Sequence, residues 1–236
     1  DPPDHTRLRS IAARELSPQR VRRIRPRITE IAGRLLDDVA LSDEADLMEA
    51  FALPFPLKVI CELLGVQPSD EPRVRRWSAL LLAADLEAPD RVPVIAQELG
   101  DYFQTLAQGK REAPDDLLFS ALVAACDRGE MSEAELAAMG FLLLVAGHET
   151  TVNLIGNGVV ALLRNRSEWT KLCGDEGLAA AAVEELLRYD SPLEAATPRF
   201  ATSDISIGDV RILAGEMVFI GLGAANRDAG CFADPS

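Results

Sequence analysis

A mainly α fold with a small β part is predicted by three observations. Apolar residues recur at three- and four-residue steps through most of positions 1–190. The period changes to two from Pro198 onward. One apolar stretch between Ser132 and Arg164 contains no proline and is apolar on nearly all sides, the pattern of a central core helix. The 236 residues are read as a single partial domain, helical over 1–190 and strand-rich over 198–221.

Each element has its own signal. Pro2-Pro3 can open a helix carrying His5, Leu8 and Arg9, and Ser17-Pro18 is a cap followed by proline at the first helical position. Val21, Ile24, Ile28, Ile31 and Leu35 then mark an amphipathic helix whose first turns Pro26 should bend or interrupt. Helical patterns follow from Leu57 to Leu64, Arg73 to Ala84, Val92 to Gln108 and Asp115 to Cys126. Gln67-Pro68-Ser69-Asp70, Pro89-Asp90 and Ala113-Pro114-Asp115 punctuate them as loops. Ser132 with Glu135 three residues later is a capping box, and the helix it opens runs about thirty residues, roughly 45 Å at ~1.5 Å per residue. A last helix spans Leu178 to Tyr189. Ile205, Ile207, Val210, Ile212 and Met217 to Ile220 alternate around Gly208-Asp209 and Ala214-Gly215 as short hairpin strands.

The central helix carries the chemistry. Ala146-Gly147-His148-Glu149-Thr150-Thr151 places an acid and two alcohols where packing favours leucine. Gly147 removes a side chain, and Thr150 or Thr151 can turn its hydroxyl onto the carbonyl of Ala146 or Gly147, which loosens the helix enough to admit a ligand or a water. The alternative is a structural bend in which Glu149 and the threonines face solvent. Glu185 and Arg188 share a helix face and can pair, as ordinary surface residues do. His5 and Arg9, four apart, present two donors to one anion or form a solvated face.

Composition narrows the function classes. A net charge of -14 argues against nucleic acid, whose phosphates would be repelled, and 48% hydrophobic content suits a large core. Cys61, Cys126, Cys173 and Cys231 match neither a zinc site nor a disulfide framework, so they read as reduced, mostly buried thiols of a cytoplasmic protein. No signal peptide and no apolar run long enough to span a membrane is expected. The chain opens on Asp1 and stops at Ser236 inside no finished element, the mark of an excerpt.

Taken in order, these pieces resemble the cytochromes P-450, particularly the soluble bacterial type. Asp1-Pro2-Pro3-Asp4-His5-Thr6-Arg7-Leu8-Arg9 is similar to that family's C-helix motif, and Leu53 to Pro56 with Val59 to Val66 to its E-helix region. Ala146 to Thr151 matches its I-helix signature, Glu185-Leu186-Leu187-Arg188 its K-helix motif, and Ala225 to Asp228 with Phe232 and Asp234-Pro235 the segment leading to the haem loop. The resemblance implies a cytochrome P-450 fold, here incomplete at both ends. It also implies haem b, with propionates held by His5, Arg9 and Arg199, and with Ala146 and Gly147 close over the porphyrin. Glu149 and Thr150 would relay protons to dioxygen, with Thr151 a supporting hydroxyl. Glu185 and Arg188 would belong to a buried structural network.

Leu143, Ala146, Ala195, Ala196 and Thr197 would line a pocket for a small, largely apolar organic substrate. His148 fills the motif's variable position and reads as a helix-surface or substrate-side contact, not an iron ligand. The implied activity is that of a monooxygenase, an oxidoreductase using O2 and a ferredoxin-type electron donor, with neither nucleic acid nor membrane as partner. None of the four cysteines stands in the family's glycine-rich loop, so the metal ligand is expected beyond Ser236 and the chain alone should be inactive. The alternative is a haem-free relative that activates a partner enzyme.

Overall fold

The computed structural model describes residues 2–87 and 91–235, with side chains undescribed at 81–87. The loop expected at Pro89-Asp90, together with Asp1 and Ser236, lies outside the described residues. The chain divides into two compact units, Asp1–Val152 and Asn153–Ser236. The division falls inside the longest helix.

The first unit is all α: α1 (Asp4–Glu15), α2 (Pro18–Val39), α3 (Pro54–Leu64), α4 (Glu71–Glu87), α5 (Val92–Glu112), α6 (Leu118–Asp127) and the first part of α7 (Glu133–Arg164). Ser17 accepts from the Arg20 amide, as the cap predicts. Pro26, expected to bend or interrupt α2, does not stop it: the helix runs through. Proline removes one amide donor, and because Arg22 and Pro26 are exposed, water can satisfy the carbonyl left without a partner. The core gathers Phe103, Phe119, Leu64, Leu99, Leu118, Leu122, Leu136 and Leu144, all fully buried. Tyr102, Phe103 and Phe119 form a chain of tilted ring contacts with centroids 5.7 and 5.4 Å apart. Gly140 of α7 lies directly on Phe103, where a Cβ would stand 2.6 Å from Cδ1.

The capping box forms as read. The Ser132 amide donates to Glu135 Oε2 at 2.8 Å and the Glu135 amide to Ser132 Oγ at 3.2 Å. Two sequence expectations about α7 change. The helix is long and apolar enough by length and composition to cross a bilayer, with a mean hydropathy of 1.3 in its most apolar window, contrary to the reading that no such run exists. Only His148 and Glu149 interrupt its middle with titratable groups, too few to lower the average. Nor is it covered on all sides: Leu136, Ala137, Met139, Leu144, His148 and Val152 are buried, whereas Leu142 and Val160 are exposed.

The second unit contains the end of α7, α8 (Arg166–Gly174), α9 (Ala179–Tyr189), four short strands and α10 (Leu222–Asn226). β1 (Arg199–Phe200) pairs antiparallel with β4 (Met217–Val218), and β2 (Ile205–Ile207) with β3 (Val210–Ile212) through a turn whose Gly208 has φ 58°. Sequence periodicity missed α8, α10 and the π-helical turn Met48–Ala52, because runs this short carry too few apolar repeats. The cysteines divide by unit. Cys61 and Cys126 are buried in the first, Cys173 and Cys231 exposed in the second, so half and not most are buried.

Candidate active site

α7 presents its motif as neither a wholly buried cluster nor a free surface. Glu149 and Thr150 are half-buried, while Ala146 and Gly147 are exposed, so the carboxylate is not buried as its apolar context suggested. The helix here has a side open to solvent. Thr150 Oγ1 donates to the Ala146 carbonyl at 3.3 Å, one of the two back-bonds foreseen. Glu149 and Thr150 are consecutive on a helix, so their side chains diverge by ~100° and do not bond directly.

Two neighbouring motif residues are gripped by other helices. At Gly147 a Cβ would meet Ile60 Cδ1 of α3 at 3.0 Å, so the missing side chain allows a close helix contact. His148 is 5% exposed, against the expectation of a surface or substrate-side contact. Its Nδ1 lies 2.8 Å from the Leu144 carbonyl and its Nε2 2.7 Å from Ser78 Oγ of α4. The ring goes inward because both nitrogens find partners there. The Ser78 partner could not be read from the sequence, since it is seventy positions away.

α1 carries His5 and Arg9 one turn apart, both exposed. Arg7, between them, binds Glu135 of the capping box at 2.6 Å and the Glu130 carbonyl at 2.8 Å. Arg14 pairs with Glu130 at 2.7 Å. Among the described residues, His5 and Arg9 are therefore the basic side chains of α1 without an ion pair. The Arg7 guanidinium and the Ser132 amide hold the Glu135 carboxyl down at about 2, well below its usual range. This tie between α1 and α7 was not foreseen. The available signal was that a capping bond uses one carboxylate oxygen of Glu135 and leaves the other for a cation.

In the second unit, Arg188 of α9 grips Glu185 with two nitrogens, at 2.7 and 2.6 Å, and donates to the carbonyls of Asn226 at 2.9 Å and Pro235 at 3.1 Å. Its guanidinium stacks over Phe232 at 5.0 Å. The network is buried on one side only: the Arg188 side chain is 12% exposed and Glu185 58%. Pairing lowers the Glu185 carboxyl and raises the Arg188 guanidinium. Arg199 on β1, Ala195 and Thr197 are exposed, and Ala196 is half-buried, as is Leu143 on α7 in the first unit.

The curated relatives align along this entire arrangement. A vitamin D(3) 25-hydroxylase of Pseudonocardia autotrophica is 46% identical over 237 residues, covering 100% of this chain and 58% of the relative. The chain belongs to the cytochrome P450 family. The Cytochrome P450 family model itself matches residues 177–236, and 6-deoxyerythronolide B hydroxylase of Saccharopolyspora erythraea is 40% identical over 237 residues, again covering 58% of its length. Among solved structures, the Bacillus subtilis cytochrome P450 PksS of bacillaene polyketide synthase superposes with a TM-score of 0.94 at 40% identity, covering 100% of this chain and 61% of that one. The chain thus spans rather more than half the length of these P450s. Its P450 motifs fall on α1, α3, α7, α9 and the segment from α10 onward.

Members of the family use haem, and the basic residues present suit its propionates: His5 and Arg9 stand on one exposed face, without an ion pair among the described residues, beside an arginine bound to Glu135 and Asp4. The cysteines suit the iron less well. Burial pushes the Cys61 thiol up to about 12 and raises that of Cys126, the reverse of a thiolate ligand.

Proposed function

We propose that the protein carrying this chain is a haem-thiolate monooxygenase that inserts one oxygen atom from dioxygen into a small, largely apolar organic substrate. The observation that carries the reading is Ala146–Thr151 on α7, half-open to solvent, in a chain 46% identical to a named hydroxylase. Haem, when bound, supplies the redox chemistry that activates dioxygen. Binding, orientation and proton handling fall to residues of this chain.

In the first unit His5 and Arg9 are assigned to propionate carboxylates through charge-assisted hydrogen bonds, and in the second Arg199 is assigned the same chemistry. Ala146 leaves room against α7 because it projects only a methyl group, while the space beside Gly147 is taken by Ile60 of α3. Thr150 holds its hydroxyl proton on the Ala146 carbonyl at 3.3 Å, and its remaining lone pairs can accept a water. Glu149 is the acid that replenishes such a water, since it shares no face with Thr150 and must hand protons over through solvent. Leu143, Ala146 and Thr150 recur at helical spacing and so present one narrow face, apolar apart from one hydroxyl. That face lines the substrate side, and in the second unit Ala195, Ala196 and Thr197 are assigned substrate contacts as well. Electrons come from a ferredoxin-type donor, and the protein works in the cytoplasm.

The test is a reduced carbon monoxide difference spectrum of the full-length, haem-supplied protein. The red-shifted Soret band of thiolate-ligated iron is expected. Its absence from folded protein that retains haem overturns the reading in favour of a haem-protein of another kind or a haem-free helper.

A further inference from the structure

We propose that Ser78 and His148 form a positioning pair, which seats α4 on α7 and fixes the rotational setting at which Glu149 and Thr150 meet the reaction site. The inference rests on the monooxygenase reading above.

The geometry fixes who donates. The Leu144 carbonyl can only accept, so Nδ1 of His148 carries the hydrogen and donates across 2.8 Å. With the ring neutral, Nε2 is then an acceptor, and the Ser78 hydroxyl donates to it across 2.7 Å. Ser78 and His148 are 4% and 5% exposed, so neither has water as a ready substitute partner. A hydroxyl at position 78 is thus specifically required, and alanine there strands an imidazole nitrogen.

The placement gives the pair its consequence. Gly147 is fitted against Ile60 of α3 at a distance of 3.0 Å for a Cβ, and His148 is tied to α4. Successive helix residues point ~100° apart, so two adjacent positions gripped by two different helices leave α7 little freedom to roll. Glu149 and Thr150 are the next two residues, half-buried and without such ties to other elements among the described residues. Their direction is therefore inherited from Gly147 and His148. Release of the Ser78 bond allows α7 to turn, and proton delivery is sensitive to small displacements of its groups.

The experiment uses the full-length, haem-loaded protein and three variants: Ser78→Ala, Ser78→Thr and His148→Phe. The carbon monoxide spectrum is recorded first; its failure in the unaltered protein counts against the monooxygenase reading and not against the pair. Dithionite-reduced protein is then mixed with dissolved oxygen, and the reoxidation rate is followed in light and heavy water. In Ser78→Ala and His148→Phe the rate and its solvent isotope effect should change, the rate by about tenfold, while Ser78→Thr restores both. Unaltered values in a loaded Ser78→Ala protein overturn the proposal. Should that variant not load haem, nitrogen-15 spectra of the histidine rings in the reduced, carbon monoxide-bound unaltered protein decide: the Nδ1–H tautomer at His148 supports the pair, and the Nε2–H tautomer, which cannot accept from Ser78, overturns it.

Discussion

Within each of the two units of this chain a different kind of force holds the structure together. In the first, Phe103, Phe119 and a set of leucines are fully removed from water, and α1, α3, α4, α5, α6 and part of α7 contribute buried residues to the same core. In the second, Gly158 and Ala161 are the buried residues among those described, and Phe200, Ile207 and Val210 are each 64% exposed. What organises that unit is polar: Arg188 and Arg227 reach to backbone carbonyls across some forty positions, and short strands pair two by two. Apolar burial supplies most of the stability of a fold, whereas exposed hydrogen bonds and ion pairs add little net. The motif with the acid and the alcohol sits in the well-packed unit. The P450 K-helix motif sits in the other.

The largest difference should appear in core truncation. Phe103→Ala is expected to destabilise the first unit by about 3–5 kcal/mol, and Phe200→Ala the second by less than about 0.5 kcal/mol, in urea unfolding followed by circular dichroism. Comparable losses at the two sites would break the comparison. A smaller effect concerns the polar tie within the first unit. Because Arg7 and Ser132 depress the Glu135 carboxyl from 4.5 to about 2, its contribution is present above the usual value and lost as the pH falls through about 2. The melting temperature of the unaltered chain should therefore fall between those values, and that of Glu135→Gln should fall less; parallel curves would remove the tie from the account. The gentlest probe alters nothing. A thiol reagent should label Cys173 and Cys231 quickly and leave Cys61 and Cys126 protected until unfolding, a division that follows the two units. Rapid labelling of Cys61 would mean that the first unit opens locally.

What could be read from the sequence follows the same division. Long periodic runs and explicit caps were legible, so α2, α7 and the Ser132–Glu135 box emerged from local rules, as did the hairpin at Gly208. Pro26 did not interrupt α2 as its local propensity suggested, because propensity says nothing of water access to a freed carbonyl. The motif residues on α7 were identifiable from their polarity, and Thr150 took one of the predicted bonds. The inward turn of His148 was not, since it depends on Ser78, and pairings over such distances have no periodic signature. Arg7 was passed over for a related reason: it stood beside His5 and Arg9 in the same motif, and only the packing of α1 near the start of α7 separates the engaged base from the free ones.

On the function proposed above, Thr150 of α7 governs the fate of dioxygen. Its most direct test is Thr150→Ala in the full-length, haem-loaded protein supplied with electrons through a ferredoxin and its reductase, with hydrogen peroxide released per dioxygen consumed as the readout. A clear rise in peroxide yield with the carbon monoxide spectrum intact is expected. An unchanged yield would contradict it.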